Sequence, residues 1–137
     1  MRQIFYHAIV LDDNKELRKL LANNPEILHW EVIAHHVTID LGPAKSHLIP
    51  YLGKTFDIIA TDIGKIDGKV IAVKVEIPEL EGTHYFSRTP HITLAVNRKA
   101  GAKPVQSNDI KKWVPLNKRI KLKGKLWNLD GRSNIVK

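Results

Sequence analysis

Cysteine is absent from the 137 residues of this chain, and methionine occurs once. Without cysteine the protein has no disulfide bond, no thiolate metal ligand and no cysteine nucleophile. Long apolar runs are also missing. The N-terminal stretch MRQIFYHAIVLDD is interrupted by His7 and closed by two acidic residues. We therefore expect neither a signal peptide nor a membrane span, and we expect a cytoplasmic protein.

Basic charge is plentiful. The chain carries 22 Lys and Arg against 14 Asp and Glu, which is a formal net charge of +8. Such an excess favours polyanionic partners, and nucleic acid is the usual one. The alternative is a basic protein that has no such partner. The length is that of one domain, so we expect residues 1–137 to form a single domain.

Hydrophobic periodicity predicts more strands than helices. A helix is expected after Asp12 or Asp13, because leucines follow at helical spacing before Asn23-Asn24-Pro25 ends the pattern. Strands are expected at 4–11, 29–42 and 91–97, on both sides of the Asp67-Gly68 turn, and from 119 onward. This mixture predicts an α+β fold with a mostly antiparallel sheet.

Two copies of one tetrapeptide pattern carry the chemistry, His36-Val37-Thr38-Ile39 and His91-Ile92-Thr93-Leu94. Side chains two residues apart on a strand share a face, so each histidine shares a polar face with its threonine. The same alternation turns His35 toward the apolar face, which predicts a structural histidine in the core or at the sheet edge. One His-x-Thr pattern is weak evidence for a site, but two matched copies are strong evidence.

The residue types in these patterns suit phosphodiester cleavage. Two imidazoles that titrate near neutrality can act as general base and general acid, and two hydroxyls can donate hydrogen bonds to phosphate oxygens. We expect no cofactor, and no metal ligands, because no histidine pair has the i, i+4 spacing and no carboxylates recur beside the histidines. The alternative is that the histidines are structural.

Both motifs, and the order of strands around them, resemble the 2H phosphoesterases, a family named for two His-x-Thr motifs. The resemblance implies a 2H phosphoesterase-like bilobal fold: two pseudo-symmetric lobes, each an antiparallel sheet with outer helices and one motif on its central strand. It also implies that His36 and His91 are the acid/base pair and that Thr38 and Thr93 hold the phosphate.

Substrate-binding residues are expected around these motifs. Tyr6 could bind phosphate or stack on a base, or simply pack in the core. The loop that leads into the second motif is well placed for stacking and phosphate contacts, although Arg88 could be a surface charge. Ser107 could line the site or only cap a helix. The candidates are Tyr6, Tyr85, Phe86, Ser87, Arg88, Lys103 and Ser107.

With the resemblance, the expected function is a metal-independent cyclic phosphodiesterase. It would hydrolyse 2′,3′-cyclic phosphates on RNA ends or nucleotides, as RNA-repair members of the family do, and a monomer is favoured. One alternative is a phage-type hydrolase of cyclic oligonucleotide immune signals. The other is a non-catalytic basic RNA-binding module, in which the strand row Arg119, Lys121, Lys123 and Lys125 follows an RNA backbone.

Overall fold

The computed structural model describes residues 3–82, 84, 86 and 88–137. Eight strands and one α-helix are assigned within these residues, and short 3₁₀ helices lie between several of them. In chain order the regular elements are β1 (Tyr6–Leu11), α1 (Lys15–Ala22), β2 (Glu31–Val32), β3 (His36–Leu41), β4 (Thr55–Ile66), β5 (Val70–Glu76), β6 (His91–Val96), β7 (Trp113–Leu129) and β8 (Ile135–Val136).

Six of these strands form a closed antiparallel barrel in the order β1-β3-β6-β5-β4-β7. The closure is made by β1, which pairs with β3 on one side and with β7 on the other. β7 is the longest strand, with 17 residues, and it pairs with both β4 and β1. The barrel therefore leaves none of these six strands as an open sheet edge.

The α+β bilobal fold predicted from the sequence is wrong, because the protein is a mostly β closed barrel. Period-2 patterns identify strands and their faces, but they do not say which strands become neighbours. β1 pairs with β7, the long strand in the last third of the chain. This pairing closes a single barrel where two lobes were expected.

The core fills the barrel interior. Fully buried aliphatic side chains line it, and α1 contributes Leu17 and Leu21 to the same cluster. A smaller apolar cluster lies on the outer side of the barrel around Ala72, Val96 and Ile110. Within the residues that the structure describes, no helix is long and apolar enough to cross a membrane.

Two local predictions are confirmed. The Asp67-Gly68 turn joins β4 to β5, with Ile66 paired to Val70 and Gly68 at a φ of 71°. The helix predicted before Asn23 is α1, although it begins at Lys15 after Asn14 rather than directly after Asp12 or Asp13.

The strand predicted at 29–42 is interrupted. β2 ends at Val32 and β3 begins at His36, and Ala34 between them has a φ of 41°. The amide of Ala34 donates to the carbonyl of Thr93 at 3.0 Å, and Val37 then pairs with Ile92. His35 and His36 are therefore two extra residues opposite the step from Thr93 to Ile92 of β6. Extra residues of this kind in one strand of a pair form a β-bulge.

Candidate active site

The two His-x-Thr motifs lie on neighbouring antiparallel strands. Val37 of β3 pairs with Ile92 of β6, and both side chains are fully buried in the barrel interior. Successive side chains on a strand point to opposite faces. The residues that flank this pair therefore point to the outer face of the barrel; they are His36, Thr38, His91 and Thr93.

His91 is held in one tautomer. Its Nδ1 lies 2.8 Å from the carbonyl oxygen of Thr89, and a carbonyl only accepts hydrogen bonds. Neutral His91 therefore carries its proton on Nδ1 and has an unprotonated Nε2, which is the form a general base needs. Burial lowers the pKa of His91, the bond to Thr89 raises it, and Arg88 lowers it, with a lowered pKa as the result.

His36 is the more strongly perturbed histidine. Burial lowers its pKa to about 4, and His35 and His91 add to the lowering. The ring of Tyr6 lies beside it, with 5.3 Å between ring centroids, and the Tyr6 hydroxyl hydrogen-bonds the Ser133 hydroxyl at 2.6 Å. At neutral pH the free protein therefore holds His36 as a neutral imidazole.

The two threonines differ in their surroundings. Thr93 Oγ1 lies 2.8 Å from the hydroxyl oxygen of Ser107, which is only 1% exposed. Ser107 lies within the 3₁₀ helix Pro104–Asp109 rather than at its N-terminus, so it is not the cap that the sequence allowed. Thr38 is exposed, which leaves its hydroxyl accessible to a ligand.

A groove borders the Pro104–Asp109 helix. It has a volume of about 340 Å³ and is lined by Arg88, Val105, Asn108 and Asp109. A larger cavity, of about 810 Å³, is formed by residues of α1, β4 and β7, and none of the four motif residues lines it. Arg88, one of the predicted substrate ligands, lines the smaller groove and also lowers the pKa of His91.

Phe86 and Lys103, two further predicted substrate ligands, make other contacts. Phe86 packs against the main core, and its ring centroid lies 4.8 Å from that of His84. Lys103 is exposed, and its backbone amide donates to the side chain of Gln106 at 2.9 Å. Tyr85 and Ser87 lie outside the described residues.

Two residues of the site were not selected from the sequence. Lys74 of β5 pairs with His91 of β6, so the two side chains lie on the same outer face of the barrel. The signal was a lysine inside VIAVKVEI, a segment in which every residue except Lys74 and Glu76 is apolar. His35 was assigned to the apolar face, but the bulge places its Nδ1 2.9 Å from Nδ1 of His36.

The basic row on β7 is largely paired with acidic residues. Arg119 lies 3.9 Å from Glu76, Lys123 3.4 Å from Asp57, and Lys125 3.4 Å from Asp12, measured between charged nitrogen and oxygen atoms. Its charge is therefore mostly neutralised locally. In the described ranges, no group of three or more His, Asp or Glu side chains is arranged to hold a metal ion.

The fold is shared with part of a fungal RNA kinase. The crystal structure of that protein superimposes with a TM-score of 0.61 at 16% sequence identity, over 90% of this chain and 44% of the other. This chain thus spans less than half the length of that neighbour. No protein-family model matches the chain, and no curated protein matches it.

Proposed function

We propose that this protein is a metal-independent phosphodiesterase that opens 2′,3′-cyclic phosphates on RNA ends or nucleotides. The observation that carries the proposal is the Val37–Ile92 pair, because it brings both His-x-Thr motifs to one face of two adjacent strands. A phosphate bound there would meet two imidazoles and two hydroxyls. The 2H phosphoesterase resemblance leads to the same reaction.

In the proposed reaction His91 is the base and His36 is the acid. Nε2 of His91 accepts a proton from water while the water oxygen attacks phosphorus. The bond from phosphorus to the 3′ oxygen breaks, and Nε2–H of His36 protonates that oxygen, which yields a 2′-monophosphate. The Thr89 carbonyl supports this assignment, since it keeps the Nε2 of neutral His91 free of a proton.

Negative charge on the substrate completes the site. The pKa of His91 is lowered in the free protein, and the bound anion would stabilise the imidazolium that forms on His91 as it takes the proton of water. Lys74 and Arg88 are positive groups beside His91, and they would attract the phosphodiester. Thr38 and Thr93 would donate hydrogen bonds to its non-bridging oxygens.

RNA is the proposed substrate class. The structural neighbour is named an RNA kinase, and its fold is shared by this chain. A net charge of +8 also favours a polyanionic substrate. These two observations support RNA or a nucleotide over an uncharged substrate.

The direct test is a panel of cyclic mononucleotides, cyclic dinucleotides and RNAs that end in a 2′,3′-cyclic phosphate. We expect hydrolysis of the cyclic-phosphate ends, unchanged turnover in EDTA, and a 2′-phosphate product by phosphorus NMR. His36→Ala and His91→Ala should each lose about 10²- to 10⁴-fold in turnover. His29→Ala, which removes an exposed histidine, is the control. Full turnover in both motif variants would overturn the proposal.

A further inference from the structure

His35 and His36 form a direct pair of imidazoles. Their Nδ1 atoms lie 2.9 Å apart, the ring planes are 81° from parallel, and the centroids are separated by 5.1 Å. Adjacent residues in a regular strand point to opposite faces and do not make such a contact. The contact exists because the bulge before β3 turns His35 to the side of His36.

The backbone around His35 is fixed on both sides. Its carbonyl accepts from the amide of Leu11 at 2.9 Å. The preceding residue, Ala34, donates to Thr93 at 3.0 Å and accepts at its own carbonyl from the Asn14 side chain at 3.1 Å. Ala34 also adopts a positive φ of 41°, a conformation that costs energy for a residue with a Cβ. The position of His35 is thus enforced by several independent hydrogen bonds.

Two Nδ1 atoms at hydrogen-bonding distance must share one proton, because two lone pairs repel each other. If His35 donates, Nδ1 of His36 is an acceptor, and the single proton of neutral His36 is then on Nε2. That arrangement matters because the pKa of His36 is about 4, so only about one molecule in a thousand carries an imidazolium there at pH 7. A neutral His36 can serve as the acid only in its Nε2–H form.

We propose that His35 is a positioning residue for His36: its Nδ1–H donates to Nδ1 of His36 and so keeps the acidic proton on His36 Nε2. This inference rests on the proposed function. As the leaving oxygen takes the Nε2 proton, His36 accepts the Nδ1 proton of His35, and Nε2 of His35 accepts a proton from solvent. Both imidazoles remain neutral, and solvent exchange restores the starting tautomers after product leaves.

The hydrogen-bond partners at Nδ1 of the two motif histidines therefore have opposite roles. An acceptor, the Thr89 carbonyl, faces Nδ1 of His91, whereas a group able to donate, the His35 imidazole, faces Nδ1 of His36. One histidine is held as a base and the other as a neutral acid. In the proposed reaction, these two contacts would keep the proton on Nδ1 of His91 and on Nε2 of His36.

Nitrogen-15 NMR of the imidazoles tests the inference without substrate. At neutral pH we expect the Nε2–H tautomer for His36 and the Nδ1–H tautomer for His91. In His35→Ala, His36 should become a mixture of tautomers. Its pKa should move up toward 6.5, because the substitution removes part of the burial of His36 and a hydrogen bond to its neutral form. His36 found mainly as the Nδ1–H tautomer in the unaltered protein would overturn the inference.

Kinetics provide the second readout. His35→Ala should lower kcat by about ten- to a hundred-fold with little change in KM, as is typical when the partner of a catalytic group is removed. His35→Asn keeps an N–H near the same place and should recover part of kcat. An equal kcat for His35→Ala and the control His29→Ala would overturn the role of His35.

The two proposals fail in distinguishable ways. If no cyclic phosphate is hydrolysed but His35→Ala still changes the tautomer of His36, the phosphodiesterase is disproved and the imidazole pair stands. If hydrolysis is observed but His35→Ala alters neither the tautomer nor kcat, the function stands and the role of His35 is disproved.

Discussion

Nδ1 of His91 donates to the carbonyl oxygen of Thr89 over 2.8 Å, while burial still lowers the pKa of this imidazole. His36, the second imidazole of the site, has a pKa of about 4. Both histidines therefore change charge below pH 6.5, which is the pKa of a free histidine side chain.

The pH dependence of kcat/KM follows from these values. The proposed reaction needs neutral His91 as the base and neutral His36 as the acid, and both imidazoles are neutral above their lowered pKa values. We expect kcat/KM for a cyclic mononucleotide to rise with pH below 6.5 and to level off at neutral pH. A fall of kcat/KM by about ten-fold or more between pH 6.5 and pH 8 would contradict a neutral His36 as the acid.

Ser107 should act on catalysis through Thr93. Ser107→Ala removes the buried hydroxyl that lies 2.8 Å from Thr93 Oγ1, so it should lower stability by about 1 kcal/mol and reduce kcat moderately. Thr93→Val removes the proposed phosphate donor itself and should cost more, on the order of ten- to a thousand-fold in kcat. Denaturant unfolding and steady-state kinetics measure both effects, with exposed Ser46→Ala as the control. A larger kcat loss for Ser107→Ala than for Thr93→Val would contradict this order.

Lys74 should contribute to binding of the anionic substrate. Because it pairs with His91, Lys74→Gln removes a positive charge at the outer face. We expect KM to rise by up to about five-fold, since an exposed charge pair contributes at most about 1 kcal/mol. The rise should shrink in high salt. Lys121→Gln, the same charge removal on β7, should leave KM unchanged; equal effects of the two would indicate only a net-charge effect.

Acid should destabilise the fold between pH 6.5 and pH 4. His36 has a lower pKa folded than unfolded, so the unfolded chain binds more protons in this window, and stability falls as pH falls through it. The full shift corresponds to about 3 kcal/mol. Buried His7, whose pKa is also lowered, acts in the same direction. Unfolding of His36→Gln should therefore depend less on pH in this window than unfolding of the unaltered protein or of His29→Ala. Parallel pH dependences would show that His36 is not perturbed in this way.

The basic row on β7 should be dispensable for RNA. Lys123 and Lys125 are each paired with an aspartate, so little uncompensated charge is available to phosphates. Replacing both by alanine should leave turnover unchanged and alter the salt dependence of RNA binding by less than about one unit of slope. A decrease of about two units would instead favour the RNA-binding module, with the row as its contact surface.

Local sequence patterns predicted much of the strand content and the outward face of both motifs. His36 and Thr38, and likewise His91 and Thr93, do share a face, because a two-residue period holds inside regular strands. The Asp67-Gly68 hairpin was equally predictable, since its turn chemistry is contained in two residues.

His35 shows where this reasoning fails. Its predicted face assumed one continuous strand through 29–42, but the chain leaves strand geometry at Ala34. A bulge depends on hydrogen bonds to another strand, here from Ala34 to Thr93, and nothing in the local pattern encodes that partner. The fold class was wrong for a similar reason, because the β1–β7 closure depends on pairing between distant segments.

The residues that carry the chemistry are visible in the chain: two imidazoles, two hydroxyls and the alternation that directs them to one side of each strand. Their proximity is a tertiary property. It requires β3 and β6 to become neighbours with Val37 against Ile92, and it requires burial to hold the pKa of His36 at about 4. Strand alternation acts over two residues, whereas pairing and burial arise only when segments far apart in sequence pack together.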